Sequence, residues 1–330
     1  MKKLFITGAT GFLGHNFIDQ LVGQPYELYL GIHQHRPELV RELAATLVPY
    51  EELDQLKLGP DFSVVHFAAR AHQMRDNAQN PALEFQKANR DFTLNLAQKA
   101  KDAGVEHFIF ISSVKVMGDR PGYYNLASPT HPSEPYGVSK WEAEQGLEEI
   151  FGENSKTRVT IVRLPLVYGP EVKGNVLSLL SAARQGLTLP LRGASGARSM
   201  LYVGNLVDAL LKVLQSEEPK GLKRYFLTDC DDLTSSEFYS LIFQCFFKGD
   251  GVVWFPEPLF RAIGHFGGLV QFLTRIRMPI NPAVVSRLFD EFRFDGEAFR
   301  KDYHWTPPFS PKEGVTAMVR WYMHHSDYDF

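Results

Sequence analysis

Lys2-Lys3-Leu4-Phe5-Ile6-Thr7-Gly8-Ala9-Thr10-Gly11-Phe12-Leu13-Gly14 is the stretch around which the chain is organised. Leu4, Phe5 and Ile6 form a short apolar run suited to a strand buried on both faces. Three glycines follow at a spacing of three, and then Phe12, Leu13, Phe17, Ile18, Leu21 and Val22 recur at helical intervals. Strand, glycine turn and helix present backbone N–H groups and a helix N-terminus to a pyrophosphate. In this reading Gly8 permits the sharp turn, Gly11 admits the phosphates close to the backbone, and Gly14 lets the helix lie against the strand. The pattern is Gly-x-x-Gly-x-x-Gly rather than the commoner Gly-x-Gly-x-x-Gly, and its place straight after the first strand marks it as a dinucleotide turn.

Composition narrows the remaining choices. A chain of 330 residues has room for one large domain or two lobes and needs no staples. Hydrophobic residues at 44% and charged residues at 22% are ordinary for a globular enzyme. A net charge of -3 supplies no basic surface for nucleic acid. The two cysteines, Cys230 and Cys245, sit among apolar residues without metal-ligand spacing, which predicts reduced core thiols, no metal and a cytoplasmic location. Lys2 and Lys3 run directly into the glycine turn, with no leader expected before it. The apolar stretch Val252–Ile280 is interrupted by Arg261, His265, Arg275 and Arg277 and has prolines near both ends. It reads as a buried or interfacial helix, with a peripheral membrane contact left open, and not as a transmembrane span.

Strand and helix patterns then alternate. Glu27–Ile32 reads as a second strand, Asp61–Ala69 as another, and Ala82–Ala103 as a long helix capped by Gly104. His107–Ser113 is a strand ending in two hydroxyls, Lys140–Phe151 a helix, and Val159–Leu164 a strand. The rhythm predicts an α/β fold, a Rossmann-like doubly wound parallel sheet with ligands beyond the carboxyl ends of its strands. The dinucleotide-binding domain is expected over residues 1–170, with 199–216 returning to it. A smaller substrate lobe is expected over 171–198 and 217–330. A helix is expected to begin at Lys173–Asn175, a strand over Arg198–Val203 and a helix over Asn205–Gln215.

The end of the second strand bears on the cofactor. An NAD site usually places a carboxylate about 20 residues past the glycine turn, to accept from the ribose hydroxyls. His33, Gln34, His35 and Arg36 stand there instead, and His33 and Arg36 suit a 2′-phosphate, so the charge pattern favours NADP(H) with NAD as the alternative.

Tyr136-Gly-Val-Ser-Lys140 is the only place among thirteen tyrosines where a lysine follows four residues on, which sets phenol and ammonium on one helix face. A free phenol titrates near 10, and a nearby cation favours its ionised form. With Ser113 upstream, this resembles the extended short-chain dehydrogenase/reductase family, in its nucleotide-sugar epimerase/dehydratase branch. Thr7–Gly14, His66-Phe-Ala-Ala69, Ser112–Gly118, Tyr136–Lys140 and Arg163–Pro170 fall in family order along essentially the whole chain.

The resemblance implies that Ser113 and Tyr136 hydrogen-bond the reacting sugar oxygen and that Lys140 holds the nicotinamide ribose. Asn175 and Arg198 match positions that meet the nucleotide diphosphate, although a helix cap would account equally for Asn175. Lys115 is either a sugar or diphosphate contact or a solvated lysine. Together these readings set the cofactor against Gly8, Thr10, Gly11, Phe12, Leu13, Gly14, His33, Arg36, Ala68, Ala69, Asn89, Tyr136, Lys140 and Pro165. They set a UDP-sugar against Ser113, Lys115, Asn175 and Arg198.

Family dehydratases carry Thr-Asp-Glu where this chain has Ser113-Val114-Lys115, so dehydration is not expected. The nearest likeness is to reductases of UDP-4-keto-6-deoxy-N-acetylglucosamine in surface polysaccharide synthesis, and His72 and Met74 fit that subgroup. Met117, where the family often has tyrosine, departs from the pattern. The alternatives are a UDP-N-acetylhexosamine 4-epimerase with tightly held NAD and a non-catalytic dinucleotide-binding regulator. A homodimer through a helical bundle is common in families of this kind.

Overall fold

The computed structural model describes residues 2–33, 44–70, 80–152, 155–216, 221–274 and 281–325. The chain opens with β1 (Lys2–Thr7), the glycine turn and α1 (Phe12–Asp19), then β2 (Tyr26–Ile32), β3 (Thr46–Pro49) and β4 (Phe62–His66). The long helical run is divided into α2 (Pro81–Phe85), a π-helical turn (Gln86–Asp91) and α3 (Phe92–Asp102). β5 (His107–Ser113) leads through a tight turn to β6 (Gly122–Tyr124) and α4 (Pro135–Phe151). Next come β7 (Arg158–Leu164), β8 (Leu166–Tyr168), α5 (Asn175–Arg184), β9 (Ala197–Arg198), β10 (Met200–Tyr202) and α6 (Val203–Gln215). β11 (Leu222–Phe226), β12 (Leu233–Thr234), α7 (Ser235–Gln244), α8 (Glu257–Thr274) and α9 (Pro282–Phe289) follow, then β13 (Phe292–Phe294), α10 (Glu297–Tyr303) and α11 (Pro311–His325).

Seven strands form one sheet in the order β11-β7-β5-β4-β1-β2-β3, every pairing parallel. Alternation along β1 divides the core between the two faces. Leu4 and Ile6 pack with Phe17, Leu206, Leu210 and Phe299 beneath α1, α6 and α10. Phe5 packs with Leu96, Ala143 and Leu147 beneath α3 and α4. This is the Rossmann-like fold expected, and the strand order reverses between β1 and β4, where such sheets open a ligand crevice.

A second core gathers Tyr168, Val176, Leu180, Phe238, Ile242 and Met318 from β8, α5, α7 and α11. Phe12, from the glycine turn, packs against it and ties the two cores together. A four-stranded sheet ordered β12-β9-β13-β6 completes this side.

Four expectations need correction. The helix bearing Tyr136 begins at Pro135, because proline is tolerated at a first helical position where no N–H is needed. The strand expected over Arg198–Val203 is two strands in different sheets, parted at Ser199, whose hydroxyl donates to Asp232 at 2.6 Å and accepts from the Phe294 N–H at 2.9 Å. Residues 222–226 are not part of a separate lobe; they lengthen the main sheet as β11 beside β7. Cys230 and Cys245 are free, as expected, but both are exposed rather than in the core.

Candidate active site

The glycine turn is shaped by crowding. Gly8 has φ +70, and a Cβ there would come within 2.7 Å of the Ala68 backbone nitrogen; a Cβ on Gly14 would stand 2.2 Å from the Gly8 carbonyl oxygen. Only glycine fits either place, and the result is helix α1 laid hard against the end of β1. Its first N–H groups open on a cleft of about 860 Å³ lined by Gly8, Thr10, Gly11, His33, Ala68 and Ala69, among others. The site lies at the carboxyl ends of β1, β2 and β4, and its size suits a dinucleotide. Phe12 and Leu13 turn their side chains into the two cores, leaving backbone N–H groups as what they offer the cleft. Pro165 is buried just past β7 and does not line the cleft. Arg36 lies outside the described residues.

Behind the cleft runs a chain of hydrogen bonds that joins the glycine turn to Tyr136. Thr7 Oγ1 accepts from the Ala68 N–H at 3.2 Å and contacts His66 Nδ1 at 2.5 Å. His66 Nε2 meets Thr93 Oγ1 at 2.8 Å, and Thr93 donates to the Asn89 carbonyl at 2.6 Å. These partners fix the imidazole with its proton on Nε2. Burial, reinforced by the Lys140 charge, holds His66 well below its usual pKa and therefore neutral.

Asn89 continues the chain: its amide donates to the Arg70 carbonyl at 3.1 Å and to Ser139 Oγ at 3.0 Å, while its oxygen accepts the Arg70 N–H at 2.7 Å. Ser139 in turn donates to the Tyr136 carbonyl at 2.9 Å. Asn89, expected to touch cofactor, is fully buried and spends its side chain on protein partners. It braces the segment after β4 through both backbone groups of Arg70. The π-helical turn that carries it swings its side chain inward, as such turns often do beside functional sites.

Ser113 ends β5 and caps the turn after it, accepting the Lys115 N–H at 3.3 Å. Tyr136 stands in the first turn of α4, which packs against β5, and its phenol faces the Ser113 hydroxyl at the carboxyl end of the sheet. Burial raises the Tyr136 phenol above its usual pKa, and the nearby Ser113 hydroxyl opposes that rise. Lys140 lies one helical turn on, 1% exposed, donating to the Ile111 carbonyl at 2.8 Å with its Nζ 4.5 Å from the Phe110 ring centroid. Burial lowers it to about 7. The expected depression of the phenol by the lysine is thus not what burial leaves here: the ammonium is itself destabilised.

The next turn of α4 places Glu144 in line with Tyr136 and Lys140. This carboxylate is fully buried, accepts from Ser112 at 2.6 Å, receives Arg163 in a forked contact closing to 2.7 Å, and takes Arg224 at 3.3 Å. The sequence reading missed it. The signal was present as a four-residue continuation of the Tyr136–Lys140 face.

The proposed substrate residues are dispersed. Arg198 on β9 lies 4.7 Å over the Phe292 ring, and Phe292 is in register with both Arg198 and Gly122, so the small sheet brings Arg198 beside the segment following Ser113. Lys115 is drawn to Asp119 and, at 3.4 Å, to Glu134, which makes it part of a rim ion network. Asn175 is exposed at the start of α5 and is not its cap, which is Gly174.

A parallel sheet with a glycine-turn cleft, and Ser113, Tyr136 and Lys140 at the adjoining strand end, marks a Rossmann-like protein. The profile of the NAD dependent epimerase/dehydratase family matches residues 4–225, and the chain belongs to that family. It is 30% identical to a UDP-glucose 4-epimerase of Vibrio cholerae, over 95% of this chain and 93% of that one. It is 25% identical to an N-acetyl-alpha-D-glucosaminyl-diphospho-ditrans,octacis-undecaprenol 4-epimerase of Escherichia coli O157:H7, over 99% of this chain and 97% of that one. In fold it matches a UDP-glucuronic acid 4-epimerase from Bacillus cereus in complex with NAD, with TM-score 0.75, 16% identity and coverage of 99% and 98%.

Proposed function

We propose that the protein is a 4-epimerase acting on a sugar held through a diphosphate. The observation that carries this reading is the placing of Ser113 at the end of β5 and of Tyr136 and Lys140 on successive turns of α4, with Lys140 bonded to the Ile111 carbonyl of β5. The kinship to 4-epimerases over nearly the whole chain supports it. Glycine-turn N–H groups would hold the pyrophosphate of the cofactor, and the crowding that excludes a Cβ at Gly8 and Gly14 agrees with such a cradle. When bound, an oxidised nicotinamide would accept the C4 hydride and return it to the ketone.

The chain's own residues manage the proton. Tyr136 takes the C4 hydroxyl proton during oxidation and returns it to the ketone oxygen during reduction. Ser113 donates to the same oxygen, and this bond strengthens as negative charge grows there. Lys140, whose ammonium burial weakens, stands one helical turn behind the phenol, where it would hold the nicotinamide ribose. Arg198 would take the diphosphate in a forked contact. The two curated relatives differ in what that diphosphate carries, a uridine or a polyprenol, and the uridine form is the one proposed first because the 30% identical relative is named for it.

A second reading is a 4-keto-sugar reductase using NADPH. A raised Tyr136 pKa favours it, because a protonated phenol is the form that delivers a proton to a ketone. His33 at the end of β2 favours it too. Against it, Glu51, from the turn after β3, lines the same cleft as His33 and supplies a carboxylate suited to ribose hydroxyls and hostile to a 2′-phosphate. Incubating purified protein with UDP-N-acetylglucosamine and NAD separates the readings. Conversion to the 4-epimer without net change in nicotinamide absorbance supports the epimerase, whereas stoichiometric NADPH loss with a 4-keto sugar supports the reductase.

A further inference from the structure

The cleft beside the glycine turn has an aromatic wall that the turn itself does not account for. Tyr50, the first residue past β3, accepts the Gly8 N–H through its hydroxyl at 2.8 Å. Its ring is T-stacked with His33, centroids 4.5 Å apart, and with Phe92, 5.0 Å apart. β2 gives way to it, because a Cβ on Gly31 would stand 2.7 Å from Tyr50 Cε1. Burial pushes the phenol up to about 12, so at ordinary pH it meets the glycine turn as a neutral hydroxyl. Packing alone would be served by phenylalanine; the hydroxyl is what bolts the turn after β3 to the turn after β1.

That bolt decides where the next residue stands. The bond to Gly8 and the contact with His33 hold the turn after β3 against the end of β2, and Glu51 lines the same cleft as Gly8, Gly31 and His33. In sheets of this kind the adenosine ribose lies at the end of the second strand, where a carboxylate accepts from its hydroxyls. The other carboxylate of the cleft wall, Glu84, lies 3.6 Å from Lys87 Nζ, which offsets its charge. Glu51 faces the cleft without such a neighbour among the described residues. We infer that the adenosine half of the cofactor is read from the turn after β3 and not from the end of β2: Glu51 accepts from the ribose hydroxyls and turns away a 2′-phosphate, and Tyr50 is the positioning residue that sets it there. The inference rests on the dinucleotide reading of the cleft and makes NAD the cofactor.

Calorimetric titration of the full chain, freed of bound nucleotide, with NAD and with NADP tests it. The wild type should bind NAD about tenfold or more tighter than NADP, since a 2′-phosphate would bring like charge against Glu51. Glu51→Gln keeps the shape and loses the charge, and should narrow that gap about tenfold, mainly by tightening NADP. Tyr50→Phe keeps the ring and loses the bond to Gly8; it should weaken NAD about fivefold, the worth of one hydrogen bond, and move the NAD-to-NADP ratio towards NADP. A Tyr50 that served only the fold would weaken both dinucleotides alike and leave the ratio where it was, which would overturn its part. A wild type that prefers NADP, or a ratio unmoved in Glu51→Gln, overturns the inference and leaves the dinucleotide cleft standing. Failure of the wild type to bind either dinucleotide overturns the reading of the cleft and the inference with it.

Discussion

Helices α4 and α8 break the ordinary rule of burial in opposite directions. α4 takes charge inside: Lys140 and Glu144 lie beneath the sheet, each bonded to protein groups. α8 leaves apolar bulk outside while glycine occupies its inner face. Burying an ion costs free energy that packing does not recover, so a paired buried charge is a sign of chemistry or of a structure that chemistry requires. Exposing phenylalanine and leucine likewise leaves free energy unrealised until something covers them. The first departure is satisfied within the chain. The second is not.

The sharpest way to break this contrast is at Tyr136, where α4 meets the substrate. Tyr136→Phe should lower turnover by about 10²–10⁴-fold, the range for loss of a positioned proton donor, while NAD affinity measured by calorimetry stays near wild type. Glu144→Ala comes next. It strands Arg163 in the core without its partner, and urea unfolding should show a loss of about 3–5 kcal/mol.

Lys140 gives a smaller effect with a defined sign. Its folded pKa, about 7, lies below the ordinary lysine value of 10.5, so the stability it contributes is fully present above the higher value and is lost as pH falls through about 7. Between those limits the unfolding free energy should rise with pH by at most about 1.4 kcal/mol per unit, and Lys140→Met should flatten that slope in urea titrations at several pH values. The smallest effect is expected on α8: Phe266→Asp should shift stability by no more than about 0.5 kcal/mol, because its side chain faces solvent. A large loss there would mean that this exposed face is packed within the chain and would undo the comparison.

Legibility in the sequence followed the size of the repeating unit. The strands of the main sheet are continuous apolar runs, and β1, β5 and the glycine turn can be read from a handful of neighbours. So can Ser113, Tyr136 and Lys140, whose types and order carry their meaning. The small sheet could not be read, because strands of two or three residues such as Ala197–Arg198 have no period and exist only through pairings far apart in the chain. The Glu144–Arg163–Arg224 cluster joins residues up to 80 positions apart. Asn89 was expected against the cofactor, but its inward turn depends on a π-helical register that residue types alone do not announce. Lys115 could be read either as a substrate contact or as a solvated lysine, and its ion pairs with Asp119 and Glu134 were not legible because Glu134 becomes a neighbour only when the chain turns back. The apolar stretch at 252–280 was visible, whereas the direction its large residues face was not.

The most direct test of the account is product analysis by proton NMR, using purified protein, NAD and UDP-N-acetylglucosamine, with Tyr136→Phe in parallel. The epimerase reading predicts approach to an equilibrium mixture of the two C4 epimers in the wild type, NAD recovered unreduced, and no conversion by the variant. Unchanged substrate in the wild type, together with NADPH consumption on a 4-keto-6-deoxy sugar, would contradict it and establish the reductase instead.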